Sequence, residues 1–382
     1  MNPVIDKLAA WSEAGKEAAL ATVVKVERSG PLGPGTMMAV NEDGQVAGSV
    51  SGGCVEPAVF EECVAAIEGG DPKLLTYGIS DDEAFGVGLT CGGIIHIFVE
   101  RVEDAGQIES LRRALEEQSP MAVATVIQAS EGSGVTPGGR LLVTPEGHDG
   151  ELDDEELERA VTDGARGMLE GGQTGQRHYG PNGQRRMEDV AVFVNSFAPP
   201  PRMYVFGAID FAGAVARMGK FMGYRVTVCD ARPVFATRER FPSADEVVVS
   251  WPDDFLQTAE VDRRSVICVL THDPKFDVPV LKAALDTEAG YIGAMGSRRT
   301  HDDRTARLRE EGVAEEQLSR IASPVGLDLG ARTPEETAVA ISAEIIALRT
   351  GHDGGRLADR SGPIHSVGFE EAARPRGGGG GS

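Results

Sequence analysis

The chain repeats itself, and the repeat limits its fold more than any other feature. Ala21-Thr-Val-Val, the pair Pro34-Gly35 and Val40 align without a gap on Ala124-Thr-Val-Ile, Pro137-Gly138 and Val143. After a one-residue slip, Gly48 falls on Gly150, Ile67-Glu-Gly-Gly70 on Leu169-Glu-Gly-Gly172, and Tyr77-Gly78 on Tyr179-Gly180. A period of about 100 residues is too long for a solenoid unit and describes a duplicated half-domain. Each copy reads as a strand, a Pro/Gly turn, a second strand, an acidic-glycine turn, a helix and a further strand. In the first copy, residues 22–26 are β-rich. Val55, Val59, Cys63 and Ile67 fall at helical spacing, closed by Gly69-Gly70. A duplicated α+β region is therefore expected over residues 1–198, with copies at about 15–100 and 118–198.

The copies differ at one place. Gly52-Gly53-Cys54 in the first faces Asp154-Glu155-Glu156 in the second. If the Gly-Gly-Cys turn were needed simply to build the fold, the second copy would need it too. The stretch Ser49-Val-Ser-Gly-Gly-Cys-Val-Glu56 predicts consecutive N–H groups aimed at one point beside a cysteine at a helix start. Such a nest favours anions and a thiolate. The plain alternative is a strand-to-helix turn with a small buried cysteine. Residues 81–93, which the second copy lacks, carry the mirror motif Cys91-Gly92-Gly93. Cys91 is a candidate for the same pocket, or the end of a glycine turn leading into a buried strand at 94–99. Two cysteines without Cys-x-x-Cys spacing do not make a structural zinc site. Cys63, Cys229 and Cys268 fall at apolar positions and are expected in the core. His96 alternates within a strand and reads as a satisfied residue.

From residue 202 the pattern changes to alternating strands and helices, after the stiff linker Pro199-Pro200-Pro201. This predicts a Rossmann-like, doubly wound parallel sheet over 202–350. Asp230 closes a strand about twenty residues after Gly207, where a dinucleotide fold places its ribose-binding acid. The phosphate loop is defective. Ile209 stands where a second glycine should be, and Asp210 puts negative charge at the helix start. NAD(P) binding is therefore not expected. Strand ends are the usual ligand site of such sheets. They make Gly207, Asp210, Asp230, Arg232, Thr271, His272, Asp273, Gly296, Ser297, Arg298 and Arg299 a candidate crevice, the arginine pair suiting phosphate. Thr333-Pro-Glu-Glu336 is a capping box with Pro at the first helical position, opening a final structural helix to about residue 348.

Composition narrows the function. A formal charge of −23 argues against a nucleic-acid binder. No apolar run is long enough to span a bilayer, and no secretory signal precedes the first strand. Five cysteines without regular spacing suit free thiols in a cytoplasmic protein. Residues 351–382, ending in a glycine run, read as a flexible tail.

Taken in order, these strings resemble the XdhC/CoxI family. Ala21-Thr-Val-Val, Pro34-Gly-Thr-Met-Met38, Gly48-Ser-Val-Ser-Gly-Gly-Cys-Val-Glu56 and Cys91-Gly-Gly93 are similar to its N-terminal domain. Val205-Phe-Gly207, Val226-Thr-Val-Cys-Asp230, Arg232-Pro233, Thr271-His-Asp273, Gly293-Ala-Met-Gly-Ser-Arg298 and Pro324-Val-Gly-Leu-Asp328 are similar to its Rossmann-like domain. The resemblance implies an accessory protein for molybdenum hydroxylases such as xanthine dehydrogenase or carbon monoxide dehydrogenase. Such a protein binds molybdenum cofactor (molybdopterin), supports its sulfuration through a cysteine desulfurase, and passes it to the apo-enzyme. It implies Cys54 as the residue holding the cofactor, with Ser51, Gly52, Gly53, Glu56, Cys91, Gly92 and Gly93 around it, and a homodimer. Gly207-Ala-Ile-Asp210 departs from the family's Gly-Ala-Gly-His. Two other readings stand beside it: an NAD(P)-dependent oxidoreductase, and a thiol enzyme with Cys54 as nucleophile and Cys91 as resolving partner.

Overall fold

The computed structural model describes residues 2–28, 32–78, 93–185 and 187–361. The chain divides into two compact units, residues 1–199 and 200–382.

The first unit is built twice. Its first copy runs α1 (Pro3–Glu13), β1 (Ala18–Glu27), β2 (Met37–Asn41), β3 (Val46–Gly48), α2 (Glu56–Ile67), β4 (Lys73–Tyr77) and β5 (Ile94–Arg101). The second runs α3 (Ala105–Glu117), β6 (Met121–Ala129), β7 (Arg140–Val143), β8 (His148–Asp149), α4 (Glu155–Glu170), β9 (Gly175–Tyr179) and β10 (Val190–Phe197). Each copy folds into a five-stranded sheet, ordered β3-β2-β1-β5-β4 and β8-β7-β6-β10-β9, the same order strand for strand. Each copy also opens with a helix, α1 or α3, that the repeat pattern did not reveal. The matched glycines have a physical reason. Gly48 and Gly150 have φ of +82° and +98°, and a Cβ would lie 2.3 Å from the Met37 carbonyl oxygen or 2.4 Å from that of Arg140.

Strand alternation divides the core. Ala19, Ala21 and Val23 of β1 face Val59, Cys63 and Ile67 of α2. Ala122, Ala124 and Val126 of β6 meet Val161, Ala165 and Leu169 of α4 in the same way. The opposite faces share one core, in which Leu20, Met37, Met121 and Leu142 pack with Ile5 and Leu8 of α1 and Ile108 and Leu111 of α3. Neither copy covers its second face alone. Within this shared layer, Glu100 of β5 forms an ion pair with Arg140 of β7. Burial pushes the Glu100 carboxyl up against the opposing pull of Arg140.

The second unit runs β11 (Arg202–Phe206), α5 (Asp210–Phe221), β12 (Arg225–Asp230), β13 (Glu246–Val249), α6 (Pro252–Thr258), β14 (Val266–Val269), α7 (Pro274–Leu285), β15 (Tyr291–Ala294), α8 (Arg298–Glu310), α9 (Glu315–Leu318), β16 (Ile321–Ala322) and α10 (Pro334–Thr350). Its sheet order is β13-β12-β11-β14-β15-β16, with every pairing parallel. The order reverses between β11 and β14, which is the switch point of a doubly wound fold. α5 and α10 cover one face through Val215, Ile341 and Ile345, and α7 and α8 the other through Val280, Leu281 and Leu308. The capping box at Thr333 forms as the sequence implies, and Gly351 ends α10 at φ +71°. Cys63, Cys229 and Cys268 are buried, and burial pushes each thiol up to about 12. Among the described residues, no helix is long and apolar enough to cross a membrane.

Candidate functional site

The loop from Ser49 to Val55 joins β3, at the sheet edge, to α2. Its conformation is set by one carboxylate. Glu56, the first residue of α2, turns back into the loop. It accepts hydrogen bonds from Ser49 Oγ at 2.5 Å, Ser51 N at 2.9 Å, Gly53 N at 2.9 Å and Val50 N at 3.2 Å, with Ser51 Oγ as a further donor. Ser51 Oγ in turn accepts Cys54 N and Val55 N, both at 3.0 Å, while Gly52 N donates to Ser49 Oγ at 3.0 Å. Burial would raise the Glu56 carboxyl, but the Ser49 and Ser51 donors outweigh it and hold it at about 2.

This corrects the anion-nest expectation. The N–H groups do converge, but on Glu56. Those of Gly52 and Gly53 already have partners, so they are not offered to an external oxyanion. Glu56 neither faces outward nor caps α2 in the usual way. The N-cap residue, Val55, has no side-chain capping bond.

The second copy is an internal control. Glu56 corresponds to Glu158, and Val50 to Leu152. Leu152 N donates to Glu158 Oε2 at 3.0 Å, the counterpart of the Val50–Glu56 bond. The carboxylate strut therefore belongs to the repeat. What is particular to the first copy is the turn beside it. In the second copy, Asp154 caps α4, accepting Glu156 N at 3.0 Å and Leu157 N at 2.8 Å, and the helix runs from Glu155. Residues 53–55, aligned with the helical 155–157, are unwound. Nearly a full turn of helix is missing. Gly52 and Gly53 take φ of +74° and +117°, which ordinary side chains rarely adopt, and a Cβ on either would meet no atom of the described residues within 4 Å. Cys54 follows this unwound turn and is half-buried against the α2 core. Gly93 is buried just ahead of β5. Cys91 and Gly92 lie outside the described residues.

In the second unit, the expected crevice residues do gather at the carboxyl edge of the sheet, but several are engaged with one another. Asp230, 3 % exposed, accepts Ala208 N at 2.7 Å, Arg232 N and Nε at 2.9 Å, and Arg232 Nη2 at 2.7 Å. Burial would raise its carboxyl, but Arg232 and Ala208 lower it. This acid ties the first two loops together and is not presented to a ribose. Gly207 turns at φ +106°, where a Cβ would lie 2.9 Å from Thr271 Cγ2. Ile209, half-buried at the loop, packs against the core. Asp210, at the start of α5, lies 3.5 Å from Arg240. Asp273 caps α7 and Ser297 caps α8, and His272, Arg298 and Arg299 are exposed. Gly296 turns at φ +150° against Thr300.

Sequence reasoning missed the buried network beneath this edge. Thr271 Oγ1 donates to Asp277, whose other oxygen accepts Arg304 Nη2 at 2.8 Å. Arg304 also donates to the Met295 carbonyl at 2.8 Å. Arg304 sits four residues before the buried Leu308, on the inward face of α8. A charged residue in that apolar register is the available signal.

The comparisons with known proteins follow the same architecture. The sequence model of the XdhC and CoxI family matches residues 11–78 and again 114–180, once per copy. The XdhC Rossmann domain matches residues 203–345. A Bacillus subtilis protein named as a probable xanthine dehydrogenase subunit is 31 % identical over 349 residues, covering 90 % of this chain and 96 % of that one. The Escherichia coli molybdenum cofactor insertion chaperone PaoD is 27 % identical over 336 residues, covering 88 % and 84 %. A crystal structure from Bacillus halodurans, described as a xanthine dehydrogenase, superposes with a TM-score of 0.62 at 24 % identity over 94 % of this chain and 98 % of that one, and so shares the fold. With both halves matched in order over most of their length, the chain belongs to the XdhC and CoxI family.

Proposed function

We propose that this chain is an accessory protein of molybdenum hydroxylases, which holds molybdenum cofactor at the Cys54 turn and passes it to an apo-enzyme. One observation carries the reading. The copy bearing Cys54 lacks a turn of helix that its sister retains, and two glycines at positive φ and a half-buried cysteine stand in its place. A thiolate is a soft ligand, suited to the metal end of the cofactor. The relatives named for xanthine dehydrogenase and for cofactor insertion support the role. Because the Gly52 and Gly53 N–H groups are occupied, the ligand's oxygens find their donors elsewhere.

The finer parts of the reading are a cysteine desulfurase as partner for sulfuration, a homodimer and a cytoplasmic location. NAD(P) is outside it. The closed Asp230–Ala208–Arg232 arrangement supports that exclusion. Transfer tests the function. Apo-hydroxylase mixed with the cofactor-loaded chain should regain activity faster than with an equal amount of free cofactor. Equal rates would remove the chaperone role.

A further inference from the structure

A pocket of about 440 Å³ lies in the first unit where two of the sequence strings meet. The β2–β3 pairing brings Gly35-Thr36-Met37 alongside Gly48-Ser49, with Ser49 N donating to the Met37 carbonyl at 3.2 Å. Val4, Met37, Leu115 and Phe197 supply apolar walls, and Asn2, Thr36 and Ser49 a polar rim, in which the Thr36 hydroxyl donates to the Gly33 carbonyl and the Ser49 hydroxyl to Glu56. The volume is in the range of small-molecule sites, and apolar walls with a few polar groups suit a flat heteroaromatic ring.

The sister copy again differs. The positions of Met37 and Ser49 are taken there by Arg140, paired with Glu100, and by Glu151. Both copies build the wall: Val4 and Met37 come from the copy that carries Cys54, and Leu115 of α3 and Phe197 of β10 from its sister.

Ser49 belongs to both places. It lines the pocket, and its hydroxyl is 3.0 Å from Gly52 N. Two Cα steps separate Gly52 from Cys54, so the Cys54 Cα lies within about 12 Å of that hydroxyl. An elongated ligand can therefore have its ring in the pocket and its metal end at the thiol.

We propose that this pocket, lined by Thr36, Met37, Ser49, Leu115 and Phe197, takes the pterin ring of the cofactor, separately from the metal contact at Cys54. The inference rests on the function proposed above.

Retention of metal-free molybdopterin and of complete cofactor tests it, read as pterin fluorescence after oxidation and as molybdenum per chain. Thr36→Trp fills the pocket from the turn and Leu115→Trp from the helix, so a folding failure of one leaves the other, with thermal melting as the check. Both variants should retain the metal-free form about tenfold less than wild type, while Cys54→Ser retains it like wild type and loses only complete cofactor. Wild-type retention of complete cofactor by both tryptophan variants would overturn the pocket and leave the Cys54 reading standing. Equal loss of the metal-free form in Cys54→Ser and Thr36→Trp would overturn the division into two places. No retention of either form by wild type would overturn the chaperone reading, and the pocket with it.

Discussion

Replacing the Gly-Gly-Cys turn by its sister sequence, through Gly52→Asp, Gly53→Glu and Cys54→Glu together, should stabilise the first unit. In the second copy these residues form an Asp154 cap and the first turn of α4. A new N-cap contributes about 1 kcal/mol. Removing a glycine from what becomes helix contributes about 1 kcal/mol more. Acidic residues in a first turn add about 0.5 kcal/mol. Against this stand the Gly53–Glu56 hydrogen bond and the partial packing of Cys54, together about 1 kcal/mol. The net is about 1–2 kcal/mol, or a melting rise of about 2–8 °C for a unit of this size. Among the described residues, nothing lies within 4 Å of a Cβ at 52 or 53. Emission from Trp11, 7 % exposed in the first unit, reports the transition. Cofactor retention should disappear in the same protein. A fall in melting temperature of similar size would refute the reasoning, because it would mean that the glycine turn is needed to build this copy.

Two further perturbations test the networks. Arg304→Leu leaves Asp277, 3 % exposed, without its ion-pair partner and should destabilise the second unit by about 3–5 kcal/mol in denaturant unfolding followed by Trp251 emission. Adding Asp277→Leu should recover much of the loss, and a double variant no better than the single would contradict the pairing. Glu56 gives a pH signature. Its folded carboxyl is lowered from 4.5 to about 2, so its contribution is fully present above pH 4.5 and is lost as pH falls toward 2. Wild type should therefore lose stability across that window more steeply than Glu56→Gln, and parallel curves would remove the strut role.

The duplication was legible because its markers are geometric necessities. A glycine facing a carbonyl at 2.3 Å, as at Gly48, cannot be replaced without moving the backbone, so it recurs in register at Gly150. The parallel sheet was legible from strand and helix alternation. Side-chain engagement was harder to read. Asp230 and Glu56 both stand where a ligand contact is expected, and both turn inward, because neighbouring donors reach them first. The alignment does pair Glu56 with Glu158, a signal that the carboxylate serves the repeat. The Asp277–Arg304 pair joins two helices 27 residues apart, and only packing of α7 against α8 brings it together. The leading helices α1 and α3 escaped because the matched strings begin only at Ala21 and Ala124, although Ile5, Leu8 and Glu13 fall on Ile108, Leu111 and Glu116 at the same spacing.

The central claim is that Cys54 holds the cofactor. The direct measurement is molybdenum bound per chain after incubation with complete cofactor and removal of the excess, for wild type and for Cys54→Ser at matched folding. The account predicts near-stoichiometric metal on wild type and a loss of about tenfold or more in Cys54→Ser. Equal metal on both proteins would contradict it.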